Sequence, residues 1–181
     1  MNLLRRCSFL LLFFVLGVAF VAASDGTSTT DDTPNKTLPD MNVTALGGDL
    51  VDIVEHYGNN GKITVFSFWA TWCAPCKKEL GNIADIYEEW QDLYDVEVVA
   101  VSTDDARTVM NVQPYVDGKA WPFDVLLDSN EALKQALGIR LIPHTIIVDQ
   151  EGNIVYEHTG YSSGDEYELE DKISELSSDD E

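Results

Sequence analysis

Ile63-Thr64-Val65-Phe66-Ser67-Phe68-Trp69-Ala70-Thr71-Trp72-Cys73-Ala74-Pro75-Cys76 decides how this chain is read. The first seven residues are an apolar run of β-branched and aromatic side chains, the composition of a strand buried on both faces. The run feeds a tight turn, and the turn feeds a helix. Cys73 therefore falls at the helix start, facing unpaired backbone N–H groups and the positive end of the helix dipole. Both favour thiolate over thiol, and the thiolate is the nucleophile of disulfide exchange. Cys76, one turn further, can close back onto Cys73. The spacing reads as a reversible dithiol/disulfide switch.

Two blander readings compete with the switch. Half of a zinc site would need two further Cys or His ligands, and the remaining cysteine, Cys7, lies in an N-terminal leader. An inert staple is a poor use of the pair, because so small a ring constrains the unfolded chain little.

Working outward, apolar periodicity predicts a short edge strand over Met41–Leu46 and a helix over Asp49–Tyr57, the latter from Leu50, Val51, Ile53 and Val54. Pro75–Leu93 predicts a long helix with Leu80, Ile83, Ile86, Tyr87 and Trp90 on its inner stripe. Val96–Ser102 reads as a second buried strand. Asp105–Val116 reads as a helix with Pro114 disturbing its end. A strand at Phe123–Leu127 and a short helix at Asn130–Leu137, stopped by Gly138, come next. Thr145–Val148 and Ile154–His158 form a hairpin, and Glu166–Ile173 begins a terminal helix. Strands alternating with helices, then a hairpin, predict an α/β fold, a mixed sheet with helices on both faces.

The chain has 181 residues, room for one domain and a leader. Arg5 and Arg6, the apolar run Phe9–Ala23 and the small residues Val21-Ala22-Ala23 have the layout of a secretory signal, and the run is short for a spanning helix. The expected organisation is a signal peptide or uncleaved anchor over residues 1–23, a linker over 24–36, one domain over 37–174 and an acidic tail over 175–181 that frays after Ser174. Cleavage would remove Cys7 and leave the exported protein only Cys73 and Cys76. The formal charge of −21 excludes nucleic acid and anionic membrane surfaces as partners.

These pieces resemble the thioredoxin superfamily, and within it the exported TlpA/ResA-like thiol–disulfide oxidoreductases. The resemblance is carried by Phe68 to Leu80, by Val98-Val99-Ala100-Val101-Ser102, by Gly138-Ile139-Arg140-Leu141-Ile142-Pro143-His144-Thr145 and by Asp149-Gln150-Glu151-Gly152. It implies a thioredoxin-like mixed sheet flanked by helices, with Cys73 and Cys76 as the catalytic pair and no dissociable cofactor. It further implies a cis peptide before Pro143, with the backbone of Ile142 pairing with a substrate strand. Trp72 and Pro75 would line the substrate rim, and Trp69 would pack beneath it.

Glu79 matches an acidic residue of the ResA-like branch. Three residues beyond Cys76, it reaches that side of the site and is expected to carry its proton. Thioredoxin itself keeps a buried Asp on the strand, six residues before its first Cys. Here Ser67 stands there and cannot act as a base, which leaves Glu79 or water. The implied partners are protein disulfides, the haem-binding Cys pair of apocytochrome c among them, and a membrane thiol donor. The alternatives are a disulfide oxidase, or a copper chaperone using the Cys pair with His144, although related copper carriers space their cysteines more widely. Peroxiredoxin chemistry needs Pro and Thr/Ser at set positions before the reactive Cys, and the residue three before Cys73 is Ala70.

Overall fold

Every side chain of β3, Thr64–Trp69, is buried, as the apolar run requires of a strand with layers on both sides. In the computed structural model, which describes residues 36–178, β3 sits inside a seven-stranded mixed sheet. On one side β3 pairs in parallel with β4, Glu97–Ser102, and beyond it lies β5, Asp124–Leu127, also parallel to β4. On the other side β3 pairs antiparallel with β6, His144–Val148, which forms a hairpin with β7, Ile154–Thr159. The mixed sheet with helices on both faces is the expected fold.

Two apolar layers sandwich the sheet. Leu80, Ile83, Tyr87 and Trp90 of α1, Ala74–Tyr94, and Leu169 and Ile173 of α4, Asp165–Ser178, cover one face. Val112 and Val116 of α2, Val112–Lys119, close the same layer. The opposite face packs Phe66, Phe68, Val99 and Val101 against Leu133 of α3, Ala132–Ala136, and against Ile53 and Tyr57.

Three expectations need correction. The segment Asp49–Tyr57 is not a helix: Leu50–Asp52 is strand β2, followed by one π-helical turn, Val54–Gly58. A hairpin closes at Ala45, whose N–H donates to the Asp49 carbonyl at 2.7 Å, and Gly48 takes the positive φ of 95° that the turn needs. Backbone pairing with β1, Asn42–Ala45, thus overrides the apolar spacing. β2 is consequently the sheet edge, and β1 lies inside it between β2 and β5.

The second correction concerns Pro114. Residues Val109–Asn111 form a 3₁₀ turn and α2 starts at Val112, so Pro114 lies in the first turn of α2 and leaves its end undisturbed. Its missing N–H would have no intrahelical partner there anyway. Third, α4 continues through Ser178, past the expected fraying point at Ser174, with Ile173 fully buried against the core. The expected signal or anchor and all but the last residue of the linker lie outside the described residues.

The β6–β7 connection is held by the Asp149 carboxylate, which accepts from the Glu151 and Asn153 N–H groups at 3.1 and 2.7 Å. Gly152 in this turn has φ 84°, and a Cβ there would meet the Gly58 carbonyl oxygen at 2.5 Å. Gly152→Ala should therefore destabilise by about 2 kcal/mol or more, from the left-handed conformation and the overlap together. Gly48→Ala, also at positive φ but in open space, should lose less. Thermal unfolding of the two variants checks the order.

Candidate active site

Parallel pairing puts the C-terminal ends of β3 and β4 at one edge of the sheet, Trp69 opposite Ser102. The antiparallel register of β6 brings its N-terminal end there too, His144 opposite Phe68. The Cys loop and the Ile142-Pro143 peptide, which is cis, therefore leave neighbouring strands at the same edge. Open α/β sheets build their sites at this end of the strands.

The chain from Trp69 to Cys73 is fixed by β4. The Trp69 carbonyl accepts from the N–H and the hydroxyl of Thr103, at 2.8 and 3.1 Å. The carboxylate of Asp104, fully buried, accepts from the Thr71 N–H at 2.8 Å and from its hydroxyl at 2.6 Å, and the Ser102 hydroxyl donates to the same group at 3.0 Å. Cys73 then caps α1, with its Sγ accepting from the Cys76 N–H at 3.3 Å, and its disulfide to Cys76 spans Cα atoms 5.4 Å apart. Cys73 keeps 6% of its surface exposed and Cys76 none.

The rim residues separate as packing and surface. Trp69 is buried against Trp121, edge to face at 4.9 Å between ring centres, whereas Trp72 is 64% exposed. Pro75 is exposed, Ile142 half-buried and Pro143 buried, with Leu141 standing out beside them at 68% exposure. Pro143 is tied to the end of β7 by the Gly160 N–H, which donates to its carbonyl at 2.9 Å.

Glu79 is buried, one helical turn beyond Cys76 on the same face of α1. The Thr145 hydroxyl donates to its Oε1 at 2.5 Å, and the Ser67 hydroxyl to its Oε2 at 3.5 Å. Burial pushes the carboxyl up to about 7; the two hydroxyl bonds oppose that rise, and the charges of Asp165 and Glu166 add to it. A group of this kind exchanges its proton near neutral pH.

His144 does not join the Cys pair. It shares the sheet face of Phe68, opposite the α1 layer that holds both cysteines. Its Nδ1 contacts the Thr159 hydroxyl at 2.7 Å and its Nε2 the Glu157 carboxylate at 3.5 Å. Burial draws its pKa down. Among the described residues, no cluster of three His, Cys, Asp or Glu side chains is arranged to hold a metal ion.

Sequence reasoning missed Asp104, Thr71 and Thr145. The signal available for Asp104 was its place directly after a buried strand, where site residues gather. Thr145 became visible only with the register, which sets it beside Ser67.

The comparisons agree with this geometry. The model of the family described as AhpC/TSA matches residues 34–157. The thiol-disulfide oxidoreductase ResA of Halalkalibacterium halodurans is 34% identical over 115 residues, covering 64% of this chain and 62% of that protein. ResA of Bacillus subtilis is 30% identical over 142 residues, covering 78% of this chain and 73% of that protein. Among solved structures, an uncharacterized thioredoxin-like protein from Porphyromonas gingivalis superposes with a TM-score of 0.69 at 42% identity, covering 80% of this chain and 95% of that one. The chain thus belongs to the AhpC/TSA family of thioredoxin-like proteins, beside its ResA-type thiol–disulfide oxidoreductases.

Proposed function

We propose that the protein is an exported thiol–disulfide reductase of protein clients, in which Cys73 is the nucleophile, Cys76 the resolving thiol and Glu79 the proton carrier of Cys76. One observation carries the reading: a single Cys pair among the described residues stands at the start of α1 with only Cys73 reaching the surface, and a buried carboxyl follows one helical turn after Cys76. Cys73 thiolate attacks a client disulfide and forms a mixed disulfide. Glu79 takes the Cys76 proton, and Cys76 attacks the Cys73 sulfur and releases the reduced client. A membrane thiol donor resets the pair by the reverse exchange.

Export is supported by the leader-like residues 1–23 and by a chain that holds one Cys pair outside them. No helix among the described residues is long and apolar enough to cross a membrane. Trp72, Pro75 and the Ile142-Pro143 backbone frame the client's approach, with the extended client segment lying along Ile142 as an added strand. Reduction rather than oxidation is favoured by Ala74-Pro75 between the cysteines, which resembles reductase-type sites. The client class is that of exported proteins with accessible disulfides, the Cys pair of apocytochrome c included. Leu141-Ile142-Pro143-His144 stands where a dedicated cytochrome-maturation branch has Gly-Ala-Pro-Glu, so the class is kept broad.

Reduction of insulin with a thiol donor tests the activity directly. Cys76→Ser should trap mixed disulfides with clients and Cys73→Ser should trap none, read on non-reducing gels. Redox titration against glutathione should put the pair nearer thioredoxin's roughly −270 mV than DsbA's roughly −120 mV; a value at the upper end would make the protein an oxidase.

Glu79 gives a pH prediction whose sign follows from its raised pKa. Between the ordinary value of 4.5 and about 7 the folded state holds a proton that the unfolded state releases. Folding stability from this group is complete below 4.5 and is lost as pH rises through 7, by on the order of 3 kcal/mol. The stability difference between the oxidised protein and Glu79→Gln should change by that amount from pH 4 to 8 in denaturant unfolding. The same variant should slow resolution by Cys76 by about 10²-fold and flatten its pH profile.

A further inference from the structure

Three polar side chains stand in a row across neighbouring strands. Ser67 of β3 is registered with Thr145 of β6, and Thr145 with His158 of β7. All three point into the α1 layer, since Val65, Trp69, Ile147 and Tyr156, two residues along their strands, pack there. In the other direction the row continues as Ala100 and Val125, which carry no exchangeable proton. The polar row therefore runs one way, from the centre of the sheet to its edge strand.

Glu79 lies over the inner end, bonded to Ser67 and Thr145. From Thr145 outward a cavity of about 10 Å³ opens between Glu79, His158 and Asp165. That is about the space of one water, and Glu79, Thr145, His158 and Asp165 set polar groups among the apolar Ile83 and Leu169 of its lining. At its mouth His158 Nε2 and Asp165 Oδ2 lie 3.4 Å apart, both partly exposed. Thr145 and His158 are directly opposed in the antiparallel register, and such residues hold their Cβ atoms about 4.5–5.5 Å apart, within the reach of a single water placed in the cavity.

Other groups at the cavity are already engaged. Tyr161 donates to Glu166 at 2.7 Å and receives the Asn82 amide at 2.6 Å. Glu166 also accepts from Asn82 and from the Gly164 N–H, each at 3.0 Å. The Tyr156 hydroxyl donates away from the cavity, to Glu168 at 3.2 Å. Ser67 from β3, Thr145 from β6, Tyr156 and His158 from β7, Tyr161 from the following loop, and Asp165 and Glu166 from α4 are the titratable or polar groups around Glu79, with Cys76 one turn before it on α1. Of these, His158 alone combines an opening to solvent with a ring that carries both a donor and an acceptor nitrogen.

We propose that this row is the proton exit of the Cys pair, with His158 passing protons between Glu79 and solvent as a positioning residue, one step removed from the reacting sulfurs. The proposal rests on the reading of Glu79 as proton carrier. Cys73 thiolate attacks one client sulfur, the client S–S bond breaks, and one client thiolate leaves. Cys76 gives its proton to the Glu79 carboxylate and attacks the Cys73 sulfur. The Cys73–client bond breaks as the Cys73–Cys76 bond forms, and the second client thiolate leaves. Two electrons have passed from the pair to the client, whose thiolates take protons from solvent. The proton on Glu79 crosses one water to His158 and leaves from there.

The test is stopped-flow reaction of the reduced full chain with 5,5′-dithiobis(2-nitrobenzoate), in which the second chromophore release reports Cys76. His158→Gln should slow that second release by about fivefold or more between pH 6 and 8, leaving the first release, the equilibrium potential and the melting temperature unchanged. Added imidazole should restore the rate. Leu169→Phe, which fills the cavity from α4, should slow the same step without rescue. A second release at the wild-type rate in His158→Gln, while Glu79→Gln is slow, overturns the exit and leaves the Glu79 reading standing. Wild-type rates in both variants overturn both. A slow His158→Gln that imidazole leaves slow reduces His158 to a structural residue and also overturns the proposal.

Discussion

The register of β3 between β4 and β6 is the constraint on which the site depends. A strand alternates its faces with a period of two, so a slip of one residue would turn Ser67 into the far layer and set Phe68 against Glu79 in its place. The same slip would part Trp69 from Thr103 and move the Cys loop off the Asp104 carboxylate that holds Thr71. Packing forbids the slip, because Phe66 and Phe68 fill one apolar layer while Val65 and Trp69 fill the other. The chemistry at Cys73 is thus positioned by hydrophobic patterning several residues upstream.

What could be read in the sequence were features whose physics is local. The Cys pair, the buried run before it and the helix after it are contiguous, so composition and spacing alone placed them. The hairpin around Asp149 and Gly152 was legible for the same reason, since turn chemistry is written in five residues. Asp49–Tyr57 was misread because its apolar spacing suits a helix, while the outcome depended on pairing with the preceding strand β1. Thr145 and His158 were illegible as site residues, and Asp104 had only its place just after a buried strand to mark it. Each is an ordinary polar residue at or just after a strand, and only pairing between strands brings it to the cysteines or to Glu79. The length of α4 was hidden in a similar way: its acidic composition favours fraying, but Ile173 is buried in a core formed by distant elements.

The two layers divide the work. The layer under α3 is apolar throughout its centre, with Phe66, Phe68, Val99, Val101, Ile146 and Val148, and serves as support. The layer under α1 tolerates a polar seam because α1 and α4 cover it and because each group in the seam has a partner. His144 and Thr145 are adjacent in sequence, yet alternation sends one into each layer. His144 is engaged by Thr159 and Glu157, whereas Thr145 serves Glu79. Adjacency to Pro143 is therefore no guide to which residue meets the cysteines.

The two oxygens of Glu79 are not equivalent, and this bears on how it can hold a proton. Oε1 takes a short bond from Thr145, whose hydroxyl is the donor, and that oxygen is the anchor in either charge state. Oε2 has only the long 3.5 Å contact to Ser67, so it loses little when it becomes the protonated oxygen. An ionised carboxylate at this depth is penalised by desolvation, and the acidic α4 end adds repulsion from Asp165 and Glu166. Thr145 and Ser67 return part of that cost. Burial alone would keep the group permanently neutral, and two strong donors would keep it permanently charged. One short donor and one long one leave both states within reach near neutral pH, which is the condition a proton carrier must meet.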